Sequence, residues 1–282
     1  MIPPGLDPDR IQAVFLDLDG TVLDHGVPSR AVAPALARIE ATGVRCIIAT
    51  GRMLTSTRRI AALIGADGPL VCYQGAMVGA LDGTILRHQP LAVATARELL
   101  QAIAESGHDG VAFIDESVYV AADSETARAY SENAGVPYRV VGDLASWLSD
   151  DVTKLVTMGT SEEMDALRDR LLPSYGDRAF IAKSLPTYLE IAAPGVSKAH
   201  GCELVSELLG LDVDRCVAFG DGENDVEMLD WVGYSVAVGG GFAPLLEQAD
   251  WICPPLAADG VPRTLEALAA ARAGDGLQGA NR

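Results

Sequence analysis

Val14-Phe15-Leu16-Asp17-Leu18-Asp19-Gly20-Thr21 places two carboxylates one residue apart at the end of an apolar run. The run reads as a buried β-strand, and the glycine after it lets the chain turn. Side chains alternate along a strand, so Asp17 and Asp19 project to one side. Two acids held that close repel each other unless a cation lies between them or one is protonated. The rest of the chain has to answer that charge problem.

Outward from this strand the chain alternates short β-branched runs with amphipathic stretches, the pattern of a parallel sheet covered by helices. Strands are predicted over Val14 to Asp17, Arg45 to Ala49, Leu70 to Tyr73, Cys216 to Phe219 and Tyr234 to Val238. Helices are predicted over Ser29 to Thr42, Leu54 to Ile64, Ser197 to Leu209, Asp225 to Asp230 and Phe242 to Ala249. The middle differs: Val111 to Ala121, Lys154 to Met158, Arg178 to Lys183 and Tyr188 to Ala192 look like longer, partly alternating strands, with a helix over Glu162 to Leu172. The predicted fold class is therefore α/β, a Rossmann-like parallel-sheet core with an inserted α+β cap domain. The core comprises residues 1–87 and 194–282 and the cap residues 88–193. The tail AGDGLQGANR reads as unstructured.

The whole-chain properties bound the function. At 282 residues with 49% hydrophobic and 21% charged residues, the chain has the composition of a soluble globular protein with a sizeable core. A net charge of −18 without any basic stripe argues against nucleic acid or an anionic membrane as a partner. The five cysteines form no CxxC pair and mostly sit in apolar runs, which points to a reduced, cytoplasmic setting. MIPPGLDPDR has no signal-peptide pattern, and no apolar stretch is long enough for a membrane span.

Three further stretches follow a core strand or open the helix after it, and such places converge at the carboxyl edge of the sheet. They are Thr50-Gly51-Arg52, Ser197-Lys198, and Gly220-Asp221-Gly222-Glu223-Asn224-Asp225. The chemistry that uses this set is phosphoryl transfer through an aspartyl-phosphate. A carboxylate attacks a phosphate dianion only when charge is neutralised and the geometry is in line. Mg²⁺ supplies that neutralisation, with Asp17 and Asp221 as carboxylate ligands. Thr50 offers a hydroxyl donor and Lys198 a point charge. Asp19 can protonate the leaving alkoxide and later activate water.

Each fragment alone has an ordinary reading: a strand end and turn for Asp17 to Thr21, a helix cap for Thr50, a solvated lysine for Lys198. A calcium loop fails because glycine falls in the wrong place and Val232 stands where a bidentate glutamate is needed. A dinucleotide fingerprint fails because its last position, Asp225, is an acid that repels a pyrophosphate. His25, His88, His108 and His200 have no zinc-ligand spacing.

Taken together and in order, DLDGT, TGR, SK and GDGEND resemble the four motifs of the haloacid dehalogenase-like superfamily, and the insert resembles that of its Cof-like phosphatases with a large α/β cap. The resemblance runs from about Val14 to Leu268. It implies Asp17 as nucleophile, Asp19 as acid/base, and Thr50 and Lys198 as groups that hold phosphate. It also implies Gly51, Arg52 and Asn224 as substrate contacts, and Asp17, the Asp19 backbone carbonyl, Asp221 and Asp225 around the metal, Asp225 steadying metal waters or Lys198. Gln74 stands where many relatives have asparagine, and SKAHG lacks their usual glycine soon after the lysine.

The expected function is that of a Mg²⁺-dependent phosphatase whose partner is a small phosphorylated metabolite, a sugar phosphate or a phosphorylated cofactor. Arg52, Arg87, Lys183, Tyr188 and Glu190 are candidates for choosing the leaving group. A phosphomutase would use the same residues to pass the phosphoryl group to a sugar hydroxyl. A catalytically silent sugar-phosphate-binding regulator would keep the fold without turnover, although every catalytic position here carries the expected residue type.

Overall fold

The computed structural model describes residues 2–274. Its larger sheet has eight strands in the spatial order Trp251–Cys253, Tyr234–Val238, Cys216–Gly220, Ala13–Leu16, Arg45–Ala49, Leu70–Cys72, Met77–Gly79, Ile85–His88. The first six are parallel and the last two extend the sheet as an antiparallel hairpin. Ala13–Leu16 and Cys216–Gly220 are buried at every position, as unbroken apolar runs require when helices cover both faces. Period-two alternation divides their side chains between two cores. Val14, Leu16 and Phe219 join Leu36, Ile60 and Leu265, whereas Ala13, Phe15 and Ala218 join Cys202, Val205 and Met228 on the opposite face.

Numbered by chain order, the six parallel strands lie 3-2-1-4-5-6, the doubly wound order. The crevice where that order reverses falls between Ala13–Leu16 and Cys216–Gly220. Asp17 and Asp221 are the residues that follow those two strands.

The second sheet has six strands in the order Tyr138–Val140, Ser117–Val120, Gly110–Ile114, Lys154–Met158, Tyr188–Ala192, Phe180–Leu185. It is antiparallel apart from its first pair. Leu155, Ile181, Leu189 and Ile191 turn one face onto the helices Val93–Glu105 and Ser161–Tyr175, in a core of their own with Leu99 and Met164. Phe113, Val118 and Val156 turn the other face onto the parallel-sheet half of the molecule. The two ends of the segment that carries this sheet meet where Gln89 Nε2 donates to the Pro194 carbonyl at 2.8 Å, and within the segment Leu91 and Val152 bridge through both of their amides.

Several expectations change. Val111 to Ala121 is a hairpin, Gly110–Ile114 with Ser117–Val120, because Asp115 and Glu116 take positive φ of 47° and 57° and reverse the chain without a glycine. Leu70 to Tyr73 stops at Cys72, since Tyr73 and Gln74 also turn left-handed. The helix expected over Ser29 to Thr42 is Val32–Glu40, and that over Asp225 to Asp230 starts as a 3₁₀ turn before Val226–Trp231. Of the tail expected to be unstructured, residues 275–282 lie outside the described residues. All five cysteines are buried and unpaired. Among the described residues, no helix is long and apolar enough to cross a membrane.

Candidate active site

The strand Ala13–Leu16 is continued by one more bond, from the Asp17 amide to the Phe219 carbonyl at 3.0 Å, which fixes Asp17 at the mouth of the crevice. The turn after it is set by Gly20, at φ +87°; a Cβ there would meet Asp221 Oδ2 at 2.1 Å. That absence of a side chain lets the fourth strand's carboxylate approach the first strand's. Thr21 then donates its hydroxyl to Asp221 Oδ1 at 2.8 Å.

Lys198 comes from the first turn of the helix Lys198–Leu209, whose start is capped by Ser197 accepting from the His200 amide. Its Nζ is 2.6 Å from Asp17 Oδ1 and 2.6 Å from Asp225 Oδ1. Asp225 is fully buried, and its other oxygen accepts from the Asp221 and Gly222 amides at 3.0 and 2.9 Å. Carboxylate oxygens of Asp17, Asp221 and Asp225 all lie within 4.8 Å of one another.

The charges do not close. Three carboxylates against one ammonium would leave two negative charges at the crevice if all three were ionised. Like charges about 4 Å apart cost on the order of 4 kcal/mol at an effective dielectric of 20, and burial adds to this. Burial, followed by the neighbouring Asp225 and Asp221 charges against the pull of Lys198, pushes the Asp17 carboxyl well above its ordinary range. Burial and Asp225 push Asp221 up to about 6. Burial alone would lower Lys198, but Asp17 and Asp225 more than offset it and hold the ammonium charged. A divalent cation beside Asp17 and Asp221 would cancel the residual charge and reverse the upward pressure on both carboxyls. An all-carboxylate donor set of this kind suits a hard ion such as Mg²⁺.

In front of these groups lies a cavity of about 520 Å³. Asp17, Asp19, Thr50, Gly51, Arg52, Asn224 and Asp221 all line it, so the structure brings these expected residues together. Lys198 and Asp225 are 1% and 0% exposed and stand behind Asp17. Arg52 grips Asp19 with two bonds of 2.6 Å, Nε to Oδ2 and Nη2 to Oδ1. Thr50 Oγ1 accepts the Arg52 amide at 3.2 Å, which aims its proton elsewhere.

The cavity's far wall is the inner face of the six-stranded sheet. Tyr188 and Glu190 line it as expected. Lys183 does not, because it pairs with Leu189 in the ladder and shares that residue's outward face. Its Nζ reaches Asp165 Oδ1 at 2.9 Å, on the helix Ser161–Tyr175. Arg87 is also removed from the site; it is exposed on the edge strand Ile85–His88, donating to the Leu86 carbonyl. Lys183 and Arg87, expected as candidates for choosing the leaving group, thus stand apart from the cavity.

Lys154 and Tyr130, which the sequence did not single out, and Gln74, noted there only as a departure from relatives, also line the cavity. Lys154, 2% exposed, donates to Glu190 Oε2 at 3.0 Å and to the Gly51 carbonyl at 2.8 Å. Gln74 joins Asn224 to Glu190, accepting from Asn224 Nδ2 at 3.0 Å and donating to Glu190 Oε2 at 3.2 Å. Tyr130 continues the aromatic wall, its ring 6.3 Å from that of Tyr188 and 5.4 Å from that of Phe113. The signal for Lys154 was a lone charge at the start of a strand otherwise without charge, on the same parity as Val156.

A sequence profile of haloacid dehalogenase-like hydrolases matches residues 14–265 of the chain. The chain is 28% identical over 234 residues to a protein of Citrobacter koseri named HMP-PP phosphatase, covering 82% of this chain and 85% of that one. Among solved structures, TM0651 from Thermotoga maritima is 27% identical and superposes with a TM-score of 0.78, covering 91% of this chain and 97% of its own. The subclass IIB sugar phosphatase BT4131 is 21% identical and shares the fold at a TM-score of 0.77, covering 91% and 98% of the two chains.

Proposed function

The chain belongs to the haloacid dehalogenase-like hydrolases, and from that membership and the site's geometry we propose that it is a Mg²⁺-dependent phosphatase of small phosphomonoesters that works through an aspartyl-phosphate. The observation that carries the reading is the Lys198 ammonium held 2.6 Å from both Asp17 and Asp225, with Asp221 in the same carboxylate group. So much buried charge at the switch point of a parallel sheet supports phosphoryl transfer.

Asp17 is the nucleophile in this proposal: one of its oxygens is tied to Lys198, which fixes the carboxylate's orientation. Asp17 and Asp221, with the Asp19 backbone carbonyl, would hold the Mg²⁺, and Asp225 would brace Lys198 and the Asp221 loop from behind. When bound, the ion neutralises the phosphoryl group's charge. Thr50 Oγ1, already accepting from the Arg52 amide, has its proton to donate to a phosphoryl oxygen. Asp19 gives a proton to the departing oxygen and later takes one from water. Arg52 occupies both oxygens of Asp19, so the acid half of that cycle requires the guanidinium to turn toward the substrate.

Residues 88–193 are proposed as the cap domain, with residues 1–87 and 194–282 as the catalytic core. The cap closes the cavity against water and supplies the wall that meets the leaving group. Names of relatives propose substrates to try, HMP-PP and sugar phosphates among them, beside pyridoxal and flavin phosphates. The test is phosphate release from a panel of these compounds with Mg²⁺ and with excess chelator. Release only with Mg²⁺, with a phosphoryl mass on Asp17, is expected; isomerised sugar without free phosphate would replace hydrolysis by mutase chemistry.

A further inference from the structure

The stretch Thr50-Gly51-Arg52 makes backbone bonds that the core alone nearly satisfies. The Thr50 amide donates to the Val71 carbonyl, the Thr50 carbonyl accepts from the Gln74 amide, and the Arg52 carbonyl accepts from the Tyr73 amide. The Arg52 amide is taken by Thr50 Oγ1. One group of this loop is held from the other half of the molecule: the Gly51 carbonyl, which accepts from Lys154 Nζ at 2.8 Å.

Gly51 C=O and Arg52 N–H belong to one planar peptide, so the bond to Lys154 on one side and to Thr50 Oγ1 on the other fix its rotation. The Thr50 hydroxyl's direction follows from that rotation. A Cβ on Gly51 would lie 2.4 Å from Gln74 Nε2, so a bulkier residue there would have to push the end of that side chain aside.

Lys154 is itself over-determined. Its strand pairs it with Phe113, its ammonium sits 5.2 Å from the Phe113 ring centre and 5.7 Å from that of Tyr73, and Glu190 Oε2 takes another of its protons. Glu190 lines the cavity, and its Oε2 accepts from both Lys154 Nζ and Gln74 Nε2.

We propose that Lys154 is a positioning residue for the phosphate-binding loop, and that through Glu190 it couples what the leaving group offers to how that loop is held. A leaving group carrying a hydroxyl or amino donor meets the Glu190 carboxylate at the cavity wall, steadies it, and so steadies the lysine that fixes the Gly51 peptide. The proposal rests on the phosphatase reading for its substrate, but not for the lysine's grip on the loop.

Its test uses inorganic phosphate as probe, bound to the full-length protein with Mg²⁺ and followed both by calorimetry and as inhibition of p-nitrophenyl phosphate hydrolysis. Lys154→Met should weaken phosphate about tenfold or more, the scale of one charge-assisted hydrogen bond, and lower kcat for the aryl phosphate as well as raise KM. Lys154→Arg should recover part of both. Lys183→Met, which removes a buried lysine from the opposite face of the same sheet, should leave phosphate binding within about twofold of wild type. The double variant Lys154→Met/Glu190→Gln, which buries no unpaired carboxylate, should stay as weak as Lys154→Met.

Phosphate binding near wild type in Lys154→Met, or recovery in the double variant, overturns the proposal. If Lys154→Met does not fold, the double variant and Lys154→Arg decide it by the same measurements. A wild type that binds phosphate yet hydrolyses no phosphomonoester defeats the phosphatase reading alone, and calorimetry still judges Lys154.

Discussion

The two ends of the cavity are built on opposite plans. At the core end the charges are bonded to one another: Asp17 to Lys198, Lys198 to Asp225, Asp225 to two amides, Asp221 to Thr21. At the cap end the wall is two tyrosine rings and one glutamate, whose bonds to Lys154 and Gln74 both fall on Oε2. The first plan holds atoms still for one reaction, since catalytic geometry cannot tolerate slack. The second leaves hydrogen-bonding capacity for a ligand to use. Their sheets fit these tasks: parallel strand ends converge on one point, whereas an antiparallel face spreads a wall of alternate side chains.

The largest expected effect is at the core end. Asp17→Asn should lower phosphate release by on the order of 10⁴-fold or more and leave no phosphoryl mass on the protein. Substantial turnover in that variant would make the two ends equal partners and break the comparison.

Asp19→Asn should cost about 10² to 10⁴. Its first step with an activated aryl phosphate should outrun its second, giving a burst of aryl alcohol equal to the enzyme concentration and a phosphoryl mass on Asp17. A variant that binds substrate but shows neither would remove Asp19 from the acid/base role.

Excess chelator should abolish activity, and Thr21→Val should raise the Mg²⁺ concentration for half-maximal rate roughly tenfold, because it frees the Asp221 oxygen that the hydroxyl now orients. An unshifted Mg²⁺ titration would show that Asp221 needs no such support.

At the cap end the effects should be smaller and selective. Glu190→Gln is expected to lower kcat/KM about tenfold for substrates with a donor on the leaving group, relative to a small aryl phosphate. Equal losses on both would assign Glu190 to folding. Smallest of all, Lys183→Met should leave the ratio of those two rates unchanged in a competition assay, since its ammonium serves Asp165 on the far side of the sheet.

The core was legible because its chemistry sits where an apolar run stops. Asp17, Thr50 and Asp221 each follow a strand whose buried residues announce themselves, so the order of the strands was enough to gather them. The cap was less legible. The turn at Asp115 and Glu116 carries no glycine, and nothing local says that two acids will accept positive φ. Glu116 does so while its carboxylate takes the Tyr73 hydroxyl at 2.7 Å and the Thr55 amide at 2.5 Å, at the start of the core helix Leu54–Ile64. Lys183 and Glu190 looked equivalent as charges in neighbouring strands. Their opposite faces follow from register, which is a property of two strands together.

By itself, then, the sequence determined a Rossmann-like parallel core, the family and the residues clustered at the crevice, because hydrophobic period and the charges that interrupt it are local properties of the chain. The strands Trp251–Cys253, Met77–Gly79 and Ile85–His88 and the doubly wound order came only from the structure. Only the tertiary structure decided which cap charges face the cavity, that Lys154 spans from the cap to the Gly51 carbonyl, and that Arg52 holds Asp19. These depend on strand register and on side chains that meet across long stretches of sequence. Their energies exist only when both partners have been brought together and dried.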